Sequence, residues 1–430
     1  MSPSRRQLLR SGALAVPALA GCGAVGDGPS DTATATDEAA TDTVTATETA
    51  TPTDAADPDA LSCGPGPLPE SGWPLPDGSV GGTNYAPGET GPTEAPDTVW
   101  DVRSPDREVA VAFTRPVVAD GVVYVAEVAR PGASQPTPER QHVAAYDAAD
   151  GRERWRTAVP GEPSVPRVAG DLVLVVDETT VRALDAADGR ERWTRSPRGE
   201  PSAVRPTPDG VLVAVDGVNA PDALLALDRT GGTRWRVETP ARAASRLSWA
   251  DGRAHYVTPS GSLVAVATDT GAVAWTRTLQ DGEDTAPARV LATPCAAFAT
   301  VDGTLYAVGR DGDRGWRADA SVRRLATDGE TVYGVGGRGD VAAFSVGGDR
   351  RWTAFHGRED RQYVDGFYDG PVVDGATLYA GSLDGTLRAL STADGSERWT
   401  VGDRWSGEPL PVLVDGTLYT AWGDHLAALR

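Results

Sequence analysis

Arginines, a few aromatics and three cysteines are the residues of this chain best placed to do chemistry. Arg115, Arg205, Arg246, Arg289 and Arg323 recur about once per repeat, each near the start of a short apolar run. Guanidiniums brought to one ring would focus an anionic ligand or a carboxylate-bearing partner. Local pairing with acids such as Glu200 and Glu408 is the competing reading. A second cluster lies between His356 and Asp369, where Arg358, Tyr363, Phe367 and Tyr368 mix charge with aromatic area, as binding hot spots do. Trp249 and Trp405 offer faces for stacking on a planar ligand, or interior packing. Cys63 and Cys295 could form a disulfide outside the cell, or stay separate thiols. No nucleophile elbow, phosphate loop or metal motif occurs, and His142, His255, His356 and His425 fall in separate segments. No catalytic residue and no metal ligand is therefore assigned.

The elements that must position these residues are set by a repeat. Ala145-Tyr146-Asp147-Ala148-Ala149-Asp150-Gly151-Arg152-Glu153-Arg154-Trp155 returns as 183–193 and again as 389–399, with weaker copies ending at Trp235, Trp275, Trp316 and Trp352. The period, near 40 residues, suits a four-stranded unit. Short β-branched runs separated by Asp-Gly turns choose strands over helices. Seven units end at Trp155, Trp193, Trp235, Trp275, Trp316, Trp352 and Trp399. Three further strands follow, and the segment around Trp100 supplies their missing fourth. The expected fold is all-β, an eight-bladed propeller of four-stranded antiparallel blades. Its ring is closed by the N-terminal strand, which leaves no open edge.

The A-x-D-x-x-[DT]-G-x-x-x-W phrase resembles the repeat of the quinoprotein-like, or pyrroloquinoline-quinone-like, β-propellers, over about residues 73 to 430. Trp73-Pro74 and Asn84-Tyr85-Ala86-Pro87 resemble that family's leader. The resemblance implies that Trp100, Trp155, Trp193, Trp235, Trp275, Trp316, Trp352 and Trp399 dock adjacent blades. It also raises a dehydrogenase using pyrroloquinoline quinone (PQQ) with Ca²⁺. The sequence departs from that family where the chemistry is done: it has no adjacent cysteine pair, no Cys-x-x-Cys-His, and no carboxylate cluster with the enzymes' spacing. The expectation is thus a module without cofactor that binds a protein partner or a small anion. The quinone dehydrogenase is the alternative. The same architecture occurs in a bacterial lipoprotein that scaffolds outer-membrane β-barrel assembly.

Residues 1–21 read as a twin-arginine export signal, with Arg5-Arg6 followed by a short apolar run. That run is too short to span a bilayer. Leu19-Ala20-Gly21-Cys22 resembles a lipobox, which makes Cys22 the lipidated residue and the only membrane anchor. Residues 22–60 form a Thr- and Asp-rich stalk with too little apolar matter to order itself. Residues 61–95 are a leader on the propeller, which spans 96–430. The expected location is the outer face of the cytoplasmic membrane, as a monomer. A net charge of −21, with arginine as the sole strongly basic residue, excludes nucleic acid as a partner. The composition resembles that of haloarchaeal proteins.

The leader enters blade eight from the face that carries the first-to-second turns, here called the bottom. Thr293-Pro294-Cys295 reads as such a turn in blade five, so a Cys63–Cys295 bridge would clamp the leader there. Repeat length grows at Glu127–Gln141, Gly217–Asp222 and His356–Asp369, all on the opposite, top face, where binding surfaces are elaborated.

Overall fold

Alternating apolar runs and positive-φ turns build eight antiparallel sheets, arranged as a computed structural model shows. It describes residues 61–67, 72–88, 90–104, 111–129, 140–217, 220–239, 241–280, 289–313, 315–356, 370–402 and 407–430. Each sheet is one blade, and its strands are numbered here outward from the axis. The middle strands are buried on both faces, as in Val122–Ala129 and Leu172–Val176. Fourth strands alternate between contact and solvent, as in Thr233–Glu238. In blade one the first strand is broken into Val111–Phe113 and Val117–Ala119, which both pair with Val122–Ala129. Arg115 and Pro116 lie in the break.

Closure uses the two ends of the propeller. Thr98–Arg103 pairs with His425–Leu429 as the outer strand of blade eight, with Trp100 opposite Ala428. Asp97 and Arg430 exchange backbone bonds of 2.9 and 3.0 Å at the end of this ladder.

Every joint between blades is made in one way. The indole N–H of a fourth-strand tryptophan donates to a carbonyl in the next blade's third-to-fourth turn. Trp100 reaches Ala148, Trp155 reaches Ala186, and Trp193 reaches Arg229, at 2.9–3.0 Å. Trp235, Trp275, Trp316 and Trp352 reach Thr268, Arg310, Val346 and Thr392. Blade eight has no such turn, because its fourth strand comes from the N-terminal side. Trp399 therefore donates to Pro92 of the leader, at 2.9 Å. The glycine of the next turn lies under the ring. A Cβ on Gly189 would fall 2.5 Å from Trp155, and one on Gly151 would fall 2.8 Å from Trp100. An aromatic of the second strand packs beneath the indole in six blades: Tyr124, His255, Phe298, Tyr333, Tyr379 and Tyr419. His255 is the histidine of this series. Burial first, and then the Arg253 charge, bring its pKa down to about 4, so it stays neutral.

The leader forms a hub. Carbonyls of Trp73, Pro74, Val80, Gly81, Thr83 and Asn84 accept from the backbone N–H groups of Val118, Val168, Trp249, Ala292, Thr327 and Val373, at 2.8–3.0 Å. These donors belong to the first strands of blades one, two, four, five, six and seven, in ring order. Each is the residue whose cross-strand partner lies five positions on, as Val118 pairs Val123 and Thr327 pairs Val332. Blade three has Pro206 at this hub position, opposite Val211. Proline has no N–H to give, and the leader turns away there through a Leu75–Gly78 hydrogen bond. Leu413 is the blade-eight equivalent, opposite Leu418.

The clamp lies on the bottom face. Cys63 and Cys295 are disulfide-bonded with a Cα–Cα distance of 5.9 Å, across 232 residues of sequence. Leu61 is buried beside Leu291 and Phe298 in the core of blades five and six.

Two glycines with the same backbone test the joint. Gly121 and Gly189 have φ of +70° and +71°, but a Cβ on Gly121 meets nothing within 4 Å. Gly121→Ala should cost about 1 kcal/mol, the left-handed penalty alone. Gly189→Ala should cost a further ~1–3 kcal/mol from overpacking on Trp155. Urea denaturation of both variants would show it, and equal losses would mean that the indole yields freely.

Loop closure gives a second expectation. Cys63→Ser should lower stability by about 2–5 kcal/mol, because the unfolded chain regains the freedom of a very long loop. A wild-type denaturation midpoint indifferent to reductant would contradict this.

Candidate functional site

The channel axis is where the arginines gather, and register explains which ones. Arg115, Arg246, Arg289 and Arg324 each stand three residues before the hub residue of their own blade. With Asp77, Gly82 and Asn84 of the leader they line a cavity of about 30 Å³. Arg167 and Arg205 stand one residue before the hub position in blades two and three, nearer the leader. Arg115 and Arg205 are buried, whereas Arg246, Arg289 and Arg324 are partly exposed.

Blade six requires a correction. The residue lining the cavity is Arg324, and Arg323 is exposed. In blades one and four the turn aspartates Asp120 and Asp251 sit two residues past the hub position; in blade six Asp328 follows it directly. Counting back from Asp-Gly therefore lands one residue early, and one residue reverses the side of a strand.

Asp77 holds the leader to blade three. Arg205 grips it with both nitrogens, at 2.7 and 2.6 Å, and also donates to the carbonyls of Leu247 and Ser79. This side-chain fork stands in for the backbone bond that Pro206 cannot make. Burial alone would raise the Asp77 pKa. Arg205, helped by Arg246 and Arg167, outweighs it and holds the carboxyl down at about 2. Arg115 is anchored differently, donating to the carbonyls of Pro411 at 2.8 Å and Gly370 at 3.5 Å.

Other candidates fall elsewhere. Trp249 gives its backbone N–H to the leader, and its indole donates to Thr268 within blade four. Cys22, Arg358, Tyr363, Phe367, Tyr368 and Trp405 lie outside the described residues, as do 130–139 and 218–219 of the other insertions. A recess of about 460 Å³ went unforeseen. It lies between the leader turn at Leu75–Gly78 and blades two and three, and is lined by Pro74, Val168, Pro206, Pro208 and Val211. Pro206 was its one signal in the sequence, legible only once the hub position is known.

Asp77→Asn should destabilise the protein by about 3–5 kcal/mol at pH 7, because it leaves buried arginines without their carboxylate. The folded pKa of Asp77 lies below its unfolded value, so its contribution is present above about pH 4 and lost as pH falls toward 2, on the order of 2 kcal/mol. The gap between wild type and variant should narrow over that range in urea titrations. A gap independent of pH would mean that the pair is not the cause.

Solved structures place the fold. BamB from Moraxella catarrhalis is similar at 20% identity and TM-score 0.58, over 78% of this chain and 97% of that one. Quinohemoprotein alcohol dehydrogenase from Comamonas testosteroni is similar at 14% identity and TM-score 0.63, over 84% and 80%. The computationally designed protein Ika8 is similar at 13% identity and TM-score 0.60, over 77% and 98%. An assembly factor, an enzyme and a design share the architecture, so the fold alone assigns no activity. No curated protein matches the sequence. The repeat family described as outer membrane protein assembly factor BamB, PQQ_2, matches residues 93–219, 178–301 and 301–429, and the chain belongs to that family.

Proposed function

We propose that this protein is a non-catalytic protein-binding module, exported and held at the outer face of the cytoplasmic membrane through Cys22. The observation that carries the reading is the filled channel axis. The leader spans the hub, and the space above it is about 30 Å³, against roughly 300 Å³ or more for a typical small-molecule pocket. A fused-ring quinone does not fit that space. Nor do the residues suit its calcium partner, which takes about six to eight oxygen ligands. Among the described residues the lining carries four arginines and one carboxylate, and Arg205 already grips both oxygens of that carboxylate. No redox step is derived for this site.

Membership of the BamB-described family supports a role in protein contact. So does the sequence, whose insertions fall where second-to-third loops and blade crossings emerge. The broadly acidic composition favours a partner with basic or apolar contact area over an anionic surface.

Cross-linking and pull-down from native membranes should recover a partner with wild type and lose it when residues 357–369 are replaced by a Gly-Ser linker. An unchanged partner set would remove that insertion from the reading. Purified protein mixed with PQQ and Ca²⁺ should neither retain the quinone nor reduce a dye with alcohols; quinone-dependent turnover would overturn the non-catalytic assignment. Cys22→Ser should move the protein from the membrane to the soluble fraction.

A further inference from the structure

We infer that the Cys63–Cys295 bridge is a redox-operated latch, which releases residues 61–67 of the leader from the bottom face while the propeller stays folded. Among the described residues, no hydrogen bond or ion pair joins 61–67 to a blade; the backbone bonds of the leader begin at Trp73, with Val118. Apart from the bridge, contact is by shape and one side chain. A Cβ on Gly329 of the blade-six turn would fall 2.3 Å from the Gly64 carbonyl carbon, and one on Gly66 would fall 2.9 Å from the Pro294 ring. Leu61 is 1% exposed and packs among Leu291, Phe298 and Val322.

The bridge decides whether this contact persists. Leu61 lies two residues from Cys63, so an intact bridge keeps the side chain at its slot. Without the bridge the nearest fixed point is Trp73, twelve residues on, and the freed backbone regains conformational entropy that opposes the docking of one leucine. The rest of the fold does not rest on the latch. The hub bonds run from Trp73 onward, and Thr98–Arg103 closes the ring in blade eight.

The bridge is open to its reactant. Cys63 is exposed and Cys295 is half-buried, so a reductant approaches at Cys63. The co-reactant is a dithiol. Its thiolate attacks the Cys63 sulfur, the S–S bond breaks, and Cys295 leaves as a thiolate that takes a proton from water. The second thiolate of the dithiol then attacks the mixed disulfide and releases Cys63. Two electrons pass to the protein, and the dithiol leaves as a disulfide. One consequence rests on the Cys22 anchor proposed above: seven freed residues add at most about 25 Å to a tether, at roughly 3.5 Å each.

The test is chymotrypsin digestion of the full chain in detergent, read by intact mass, and it needs no membrane. Cutting after Leu61 requires its side chain in the protease and out of its slot. Residues 23–60 hold no leucine, methionine or aromatic residue, so Leu61 is the first such site past Cys22. Dithiothreitol should speed this cut about tenfold or more, because cleavage tracks the population of the opened segment. The product from Ser62 onward should stay whole over the same time, and reoxidation should restore the slow rate. C63S/C295S should be cut fast with or without reductant. Reduced wild type needs no substitution, so it decides the matter if the double variant folds poorly. A rate unchanged once alkylation shows both thiols reduced would overturn the inference. Cuts throughout the blades on reduction would do so too, since the bridge would then staple the whole fold.

Discussion

Seven of the eight joints of this ring lay one indole on one glycine, and the rest of the molecule depends on that contact. Blades touch edge to edge around an axis, so each must present the same complementary pair to its neighbours. Tryptophan supplies a large apolar face with a single donor at its rim, and the donor finds a turn carbonyl at seven joints and the leader carbonyl of Pro92 at the eighth. Each such bond contributes about 1 kcal/mol net, and burial of the indole contributes more. The turn glycine is needed for two reasons that coincide. Gly189 has φ of +71°, and its missing Cβ leaves room for the Trp155 ring.

Closure then creates a second demand at the axis. First strands present an unpaired edge inward, and buried backbone groups need partners. The leader meets that demand with six carbonyls spread over about a dozen residues. Its path is set by the ring: it bonds where a hub residue has an N–H and turns away where Pro206 has none. One substitution in the repeat thus accounts for both the Asp77–Arg205 pair and the apolar recess beside it.

Much of this was legible in the chain. The repeated phrase implied strands, blades and closure because glycine and tryptophan recur where the joint needs them. The bridging of Cys63 to Cys295 was open to argument from topology, since both fall on the face that the leader approaches. The arginine ring was only partly legible. The spacing from hub residue to turn aspartate is the same in blades one and four but one residue shorter in blade six, where Arg324 rather than Arg323 lines the cavity. His255 looked isolated until its second-strand position matched Tyr124 and Tyr333. The six-carbonyl hub left no pattern in residue types, because it is made by backbone carbonyls that every residue carries.

By itself, then, the sequence determined the fold and the number of blades, because those follow from a local phrase repeated until the ring closes. Tertiary structure alone decided what fills the axis. The level at which an arginine enters the channel depends on register to a single residue. Whether a carboxylate 128 positions away meets it depends on the leader's course around the hub. Both are long-range outcomes, and a period-two strand turns a one-residue difference into the difference between a lining residue and an exposed one.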